Sequence, residues 1–234
     1  MNRDEQKRQA AEAAVALVQD GMVVGLGTGS TAAFAIEALI RRVREGLSIV
    51  GIPTSERSAA QARAGGIRLV DFADHPRIDL TIDGADEIAP GQLDLVKGLG
   101  GALLREKIVA AASKRLVIVA DAPKLVERLG TTTPVPVEVV PFGWQTTVVR
   151  LTAHGAHPVL RVGQDGEPFL TDGGNLILDC GFEPIADPAA VERALSQTIG
   201  VVENGLFIGM ADMALVATAE GVRRFDRDPP RSVA

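Results

Sequence analysis

The chain has 234 residues, 46% hydrophobic and 23% charged, which excludes a largely disordered protein and leaves room for one large or two small domains. A net charge of -6, no Lys/Arg block and 3% aromatics without a tyrosine argue against a nucleic-acid partner. No apolar run approaches the ~20 residues of a membrane span, the charged N-terminus lacks a signal-peptide core, and the lone cysteine, Cys180, suits a reducing compartment, so a cytoplasmic protein without a membrane partner is expected.

Apolar periodicity predicts a helix over 4–19, where Ala11, Ala14, Val15 and Val18 recur at helical spacing. A buried strand follows over 22–26, then a helix over 31–44, a strand over 47–52 and a helix over 55–64. Further strands are predicted at 67–69, 80–82 and 116–120, with a glycine-rich loop and a helix over 103–113 between the last two. Strands alternating with helices imply a parallel sheet covered on both faces. After residue 130 the rhythm changes. Strand patterns at 134–141, 157–162, 175–180 and 201–207, with helical patterns at 143–153 and 188–197, give the order β-α-β-β-α-β of a ferredoxin-like unit. Val135 and Val137, or their neighbours, are expected on a sheet face that needs a cover and so helps build a subunit interface. Residues 208–225 are expected to return to the first sheet, and 226–234 to form a frayed tail. The fold class is thus α/β: a Rossmann-like parallel-sheet domain over 1–130 with an inserted, smaller α+β domain over 131–207.

Three motifs fall where strands end, the rim on which open parallel sheets bind ligands. GLGTGST at 25–31 joins a strand to a helix, and its glycines, helix N-terminus and hydroxyls suit a phosphate. It lacks the lysine of a P-loop, and the next strand ends in Pro53-Thr54-Ser55 without the acid of a dinucleotide site. DGADE at 83–87 puts three carboxylates in five residues, which calls for a Mg²⁺ ion, a lysine or a proton-transfer role. Lys97 opens KGLGGALLREK in a chain with five lysines against 19 arginines. It is a candidate to neutralise the acidic cluster or stabilise an oxyanion. Glu106 is a candidate general base if it faces the rim. Lys124, after another strand, is a candidate phosphate ligand. His154 and His157 have no partners at metal-ligand spacing, and Cys180 reads as core.

Together with GIPTSERS at 51–58, PVPVEV at 134–139, TDGGNLILD at 171–179 and GLF at 205–207, these blocks resemble the ribose-5-phosphate isomerase type A family over nearly the whole chain. The resemblance implies interconversion of ribose 5-phosphate and ribulose 5-phosphate, a pentose phosphate pathway step, with no metal and no cofactor. It implies a homodimer or homotetramer built from a Rossmann-like and an α+β domain. The sugar phosphate would meet Thr28, Gly29, Ser30 and Thr31 in the first turn, and Asp83, Gly84, Ala85 and Asp86 after the later strand. Lys97, Gly98, Leu99 and Gly100 in the glycine loop, and Lys124, complete the implied contacts. Glu106 is the implied base, with Lys97, Asp83 and Asp86 as further catalytic groups; either aspartate is available for ring opening. The family commonly carries four glycines after the lysine, whereas this chain has Gly98-Leu99-Gly100-Gly101, and leucine reaches positive φ less cheaply. Two rival readings are a non-catalytic phosphosugar-sensing domain and a Mg²⁺-dependent phosphotransfer enzyme using Asp83, Asp86 and Glu87, the latter without a nucleotide cradle.

Overall fold

Short apolar runs bounded by glycine, proline or polar turns set the strands of this chain, and longer amphipathic runs set its helices. The computed structural model describes residues 2–228. The first part alternates through α1 (Arg3–Val15), β1 (Val23–Leu26), α2 (Ser30–Arg44), β2 (Val50–Pro53), α3 (Glu56–Ala64), β3 (Arg68–Leu69) and β4 (Leu80–Asp83). Two short strands, β5 (Glu87–Ala89) and β6 (Asp94–Val96), precede α4 (Leu103–Ala111) and β7 (Leu116–Asp121). Then come β8 (Val135–Val139), α5 (Trp144–Ala153), β9 (His157–Leu160), β10 (Leu176–Gly181), α6 (Pro188–Ser196) and β11 (Val201–Asn204). The chain closes through β12 (Leu206–Phe207), β13 (Met213–Thr218) and β14 (Gly221–Asp226).

Seven strands form one sheet in the order β14-β13-β7-β4-β1-β2-β3, parallel except for the β13–β14 hairpin. Strand alternation feeds two cores. Val117 and Val119 of β7 join α1 and α2 on one face, while Leu116, Ile118 and Ala120 pack with Ala110 and Phe207 on the other. β8, β9, β10 and β11 form a separate antiparallel sheet in the order β11-β8-β10-β9, with α5 and α6 on one face, as the ferredoxin-like pattern requires. Among the described residues no helix is long and apolar enough to cross a membrane.

Three expectations need correction. Val135 and Val137 are fully buried with Leu151 and Leu195 under the helices, and the opposite face of β8 is filled by Pro136 and Glu138, so no bare valine face exists there. The single strand expected over 201–207 divides at Gly205. There the backbone lies so near β6 that a Cβ would come within 2.3 Å of the Lys97 carbonyl oxygen. Beyond it, β12 leaves the antiparallel sheet and pairs with β6, which pairs with β5 in a third, three-stranded sheet. Such two- and three-residue strands show no period of their own. The expected tail is also tied down at its start: β14 runs to Asp226, and the N–H groups of Arg227 and Asp228 donate to Asp212 and Gly91. Its remaining residues, 229–234, lie outside the described residues.

The three acids of DGADE go to three different places. Glu87, on β5, is fully buried and turned from the rim. Its Oε2 accepts from Gly130 N (2.6 Å), and its Oε1 from Thr132 N, Thr132 Oγ1 and Thr133 N. One carboxyl side chain thus organises the turn that leads into β8. Replacing Glu87 by Gln puts an amide donor against donors and is expected to cost about 1–3 kcal/mol, because a buried partner is left unsatisfied. A thermal melt should show the loss, while kcat of the remaining folded protein stays close to the parent value. An unchanged melting temperature with reduced kcat would place Glu87 in the reaction instead.

Candidate active site

β1 ends beside β4, and this closeness dictates the first turn. A Cβ on Gly27 would lie 2.2 Å from Asp83 Oδ1 and 2.6 Å from Asp83 Cα, so the two strands can approach only with glycine there. Thr28 N donates to Asp83 Oδ1 (3.0 Å). Thr28 Oγ1 sits 2.7 Å from Thr54 Oγ1, 2.8 Å from Ser55 Oγ and 3.2 Å from Ser58 Oγ, and Ser58 Oγ donates to Gly27 O (2.7 Å). The TSERS stretch therefore props the turn from below, and it engages the Thr28 hydroxyl there. Gly29 caps α2 without any side-chain acceptor, so the first amides of the helix keep their anion-binding capacity.

Cations gather at the same end. Lys7 Nζ donates to Ser30 Oγ (3.0 Å), Arg3 pairs with buried Asp121, and Lys124 follows β7. Neither Arg3 nor Lys7 was foreseen. The conspicuous pattern of the first helix is its apolar face, and the signal for these two is a pair of basic residues one turn apart at 3 and 7.

The chemical end is built around a buried ammonium. β6 runs into Lys97, whose own N–H donates to Gly205 O (2.9 Å), and the side chain is 2% exposed. Its Nζ meets Gly84 O (2.6 Å), Asp83 Oδ2 (3.0 Å) and Glu106 Oε1 (3.0 Å). All three N–H donors of the ammonium are thereby used. Burial works to lower the Lys97 pKa, but Asp83 and Glu106 more than offset it, and the ammonium is held charged well above neutral pH. Glu106, on the first turns of α4, is 4% exposed, and its Oε2 has no hydrogen-bond partner among the described residues. Burial raises its pKa well above the carboxylate range; Lys97 opposes that rise and Asp83 adds to it.

These groups surround one cleft of about 290 Å³. Thr28, Gly29, Ser30 and Thr31 line one wall; Gly84, Ala85 and Asp86 line another. Lys97, Gly98, Gly100, Glu106, Lys124, Arg3 and Lys7 close it. Two residues of the expected set stand off. Asp83 lies behind the wall, 1% exposed, with Oδ1 taken by the N–H groups of Thr28 and Gly84. Leu99 turns outward, 38% exposed, and only its backbone joins the loop: its N–H donates to Asp86 Oδ2 (2.9 Å). The loop needs positive φ at Gly98 and Gly101 but not at position 99. Among the described residues no group of three or more His, Cys, Asp or Glu side chains is placed to hold a metal ion.

A family model described as ribose 5-phosphate isomerase A (phosphoriboisomerase A) matches residues 50–221. The chain is 62% identical over 222 residues to ribose-5-phosphate isomerase A of Gloeobacter violaceus, covering 95% of this chain and 96% of that protein. It is 55% identical to ribose-5-phosphate isomerase A of Gluconobacter oxydans, covering 94% and 96%. The ribose 5-phosphate isomerase A structure from Methanocaldococcus jannaschii superposes with a TM-score of 0.91 at 40% identity, covering 95% of this chain and 99% of that one. A D-ribose-5-phosphate isomerase in complex with phospho-erythronic acid superposes with a TM-score of 0.94 at 39% identity, covering 97% and 100%. Sequence over most of its length and fold over nearly all of it agree: this chain belongs to the ribose 5-phosphate isomerase A family of aldose–ketose isomerases.

Proposed function

We propose that the cleft interconverts ribose 5-phosphate and ribulose 5-phosphate with Glu106 as the proton-transfer base. One observation carries this reading: Glu106 lies on the cleft wall with Oε1 fixed by Lys97 and Oε2 unpartnered. The substrate phosphate sits against the first amides of α2 and the ammonium groups of Lys7 and Lys124. Asp86, the acid of the cluster that lines the cleft, serves the proton transfers that open the sugar ring. Glu106 Oε2 then takes the proton from carbon 2 of the open aldose. The electron pair of that bond forms the carbon 1–carbon 2 double bond, and the carbonyl pair moves onto O1. The same carboxyl returns the proton to carbon 1, while the O2 hydroxyl proton passes to O1; the O2–H bonding pair forms the ketone and O1 becomes a hydroxyl. Lys97 has no spare N–H, so it contributes its charge and its hold on Glu106; backbone donors must meet the oxyanion.

The same reading assigns 1–130 with 208–225 to the catalytic unit and 131–207 to the smaller one. It places the protein in the cytoplasm as a homodimer or homotetramer. Phe142 and Ile199, the most exposed large apolar side chains among the described residues, flank the Val140–Gly200 hydrogen bond of the smaller unit and support a contact between copies.

Three outcomes test the site. In a coupled assay with ribose 5-phosphate and EDTA present, Glu106→Gln should lower kcat by ~10²–10⁴-fold with little change in KM, as expected for a lost acid–base group. Near-normal turnover would make Glu106 a structural residue. The acid limb of kcat/KM should also report Glu106. Its base form must be ionised and its pKa is raised, so activity should fall on acidification with a midpoint well above the ordinary Glu value of about 4.3. A midpoint at or below that value would contradict the assignment. Finally, Lys7→Ala and Lys124→Ala should each raise KM by about tenfold or more, the worth of a charge-assisted hydrogen bond, with a smaller effect on kcat. Turnover of phosphate-free ribose should not respond. An unchanged KM for ribose 5-phosphate would remove that lysine from the phosphate site.

A further inference from the structure

The glycine loop is gripped from outside the parallel-sheet unit. Arg161, immediately after β9, donates from NH1 to both Gly98 O (3.1 Å) and Leu99 O (3.1 Å). The rest of its guanidinium is held by Asp179 of β10, Nε to Oδ2 at 2.9 Å and NH2 to Oδ1. Its Cζ lies 5.8 Å from the ring centre of Phe169, which packs so close to the loop that a Cβ on Gly101 would fall 2.5 Å from it.

A trans peptide points its C=O and the following N–H in opposite directions. With Gly98 O turned to Arg161, Leu99 N–H must face the other way, and it does, donating to Asp86 Oδ2 on the cleft (2.9 Å). By the same geometry Leu99 O on Arg161 turns Gly100 N–H toward the cleft that Gly100 lines. We propose that Arg161, seated by Asp179, is a positioning residue that holds Gly100 N–H as a donor for the developing O1 oxyanion. This rests on the reading of the cleft given above. The guanidinium touches no substrate atom; it sets two peptide planes, and it withdraws electron density from the carbonyl whose amide does the work.

The test compares Arg161→Ala, Arg161→Lys and Asp179→Asn. Removing one oxyanion donor typically costs 10²–10³-fold in kcat, so Arg161→Ala should lose about 10²-fold in kcat while KM changes less than about threefold. Tens of millimolar guanidinium should restore at least about tenfold of that loss. Arg161→Lys should stay impaired, because one ammonium cannot span both carbonyls and the Asp179 carboxylate. Asp179→Asn, which keeps the cation but loosens its seat, should lose less than Arg161→Ala and in kcat, and it decides the matter if the alanine variant does not fold. A kcat within twofold of the parent, a loss carried by KM, or no response to guanidinium overturns the proposal. Glu106→Gln run alongside separates the two readings: if it is inactive while Arg161→Ala turns over normally, only the role of Arg161 falls; if it is active, the cleft assignment itself falls.

Discussion

The site depends on a buried ammonium shared by two carboxylates. An unpaired charge at the depth of Lys97 would cost several kcal/mol even after relaxation. Asp83, Glu106 and the Gly84 carbonyl remove that penalty, and the ammonium and its two carboxylates are each delivered by a different piece of the fold. Asp83 ends β4, which lies against β1 only because Gly27 has no side chain. Lys97 follows β6, whose register is fixed by β12 and by the bond from Lys97 N to Gly205 O. Glu106 comes from α4. The trio carries one positive and two negative charges, so one carboxyl is pressed toward its neutral form. Asp83 accepts from two backbone N–H groups as well as meeting the ammonium. Glu106 has one oxygen without a partner among the described residues, and burial raises its pKa. The difference in hydrogen bonding between the two carboxyls is what supports the proposal of Glu106 as the base.

The cleft has two ends with different physics. At the end proposed for the phosphate, charge is supplied by two half-buried groups, Lys7 and Lys124, and by a helix N-terminus without a capping side chain. Such contacts bind equally in ground and transition states. At the other end Lys97 and Glu106 are buried and the ammonium is fully committed, which suits a place where charge develops. Arg161, after β9, and Phe169 reach the glycine loop at that end, Arg161 through its bond to Gly98 O and Phe169 against Gly101. Lys107, next to Glu106 on α4, ties that helix to Glu203 and Asn204 O of β11 (both 2.7 Å).

Much of this was readable from residues that are neighbours in the chain. The strand runs 22–26, 80–82 and 116–120, the turn at 27–31 and the roles of Lys97 and Glu106 as candidates all follow from local pattern. What was hidden is closure over distance. Arg161 reaches Leu99 across 62 positions, and Thr132 reaches Glu87 across 45. Nor could spacing alone separate Asp83, Asp86 and Glu87. They part because Asp83 is the last residue of one strand, Glu87 opens another, and Asp86 lies on the turn between them, so burial differs at each step. Arg3 and Lys7 were visible as letters, but the helix that carries them was read for what it buries.

Leu99 shows how far a departure from a glycine run can matter. The loop's two demands on backbone conformation fall at Gly98 and Gly101, where φ is positive, and not at 99. Its two demands on contact fall at Gly101, pressed by Phe169, and at the carbonyls of Gly98 and Leu99, which Arg161 holds. Position 99 is asked only for its N–H and C=O, and leucine supplies both while its side chain points outward. A residue with a Cβ also has fewer unfolded conformations to lose than glycine, so ordering the loop costs less chain entropy. For a segment whose value lies in the fixed direction of its peptide planes, fewer glycines is the cheaper solution wherever φ allows it.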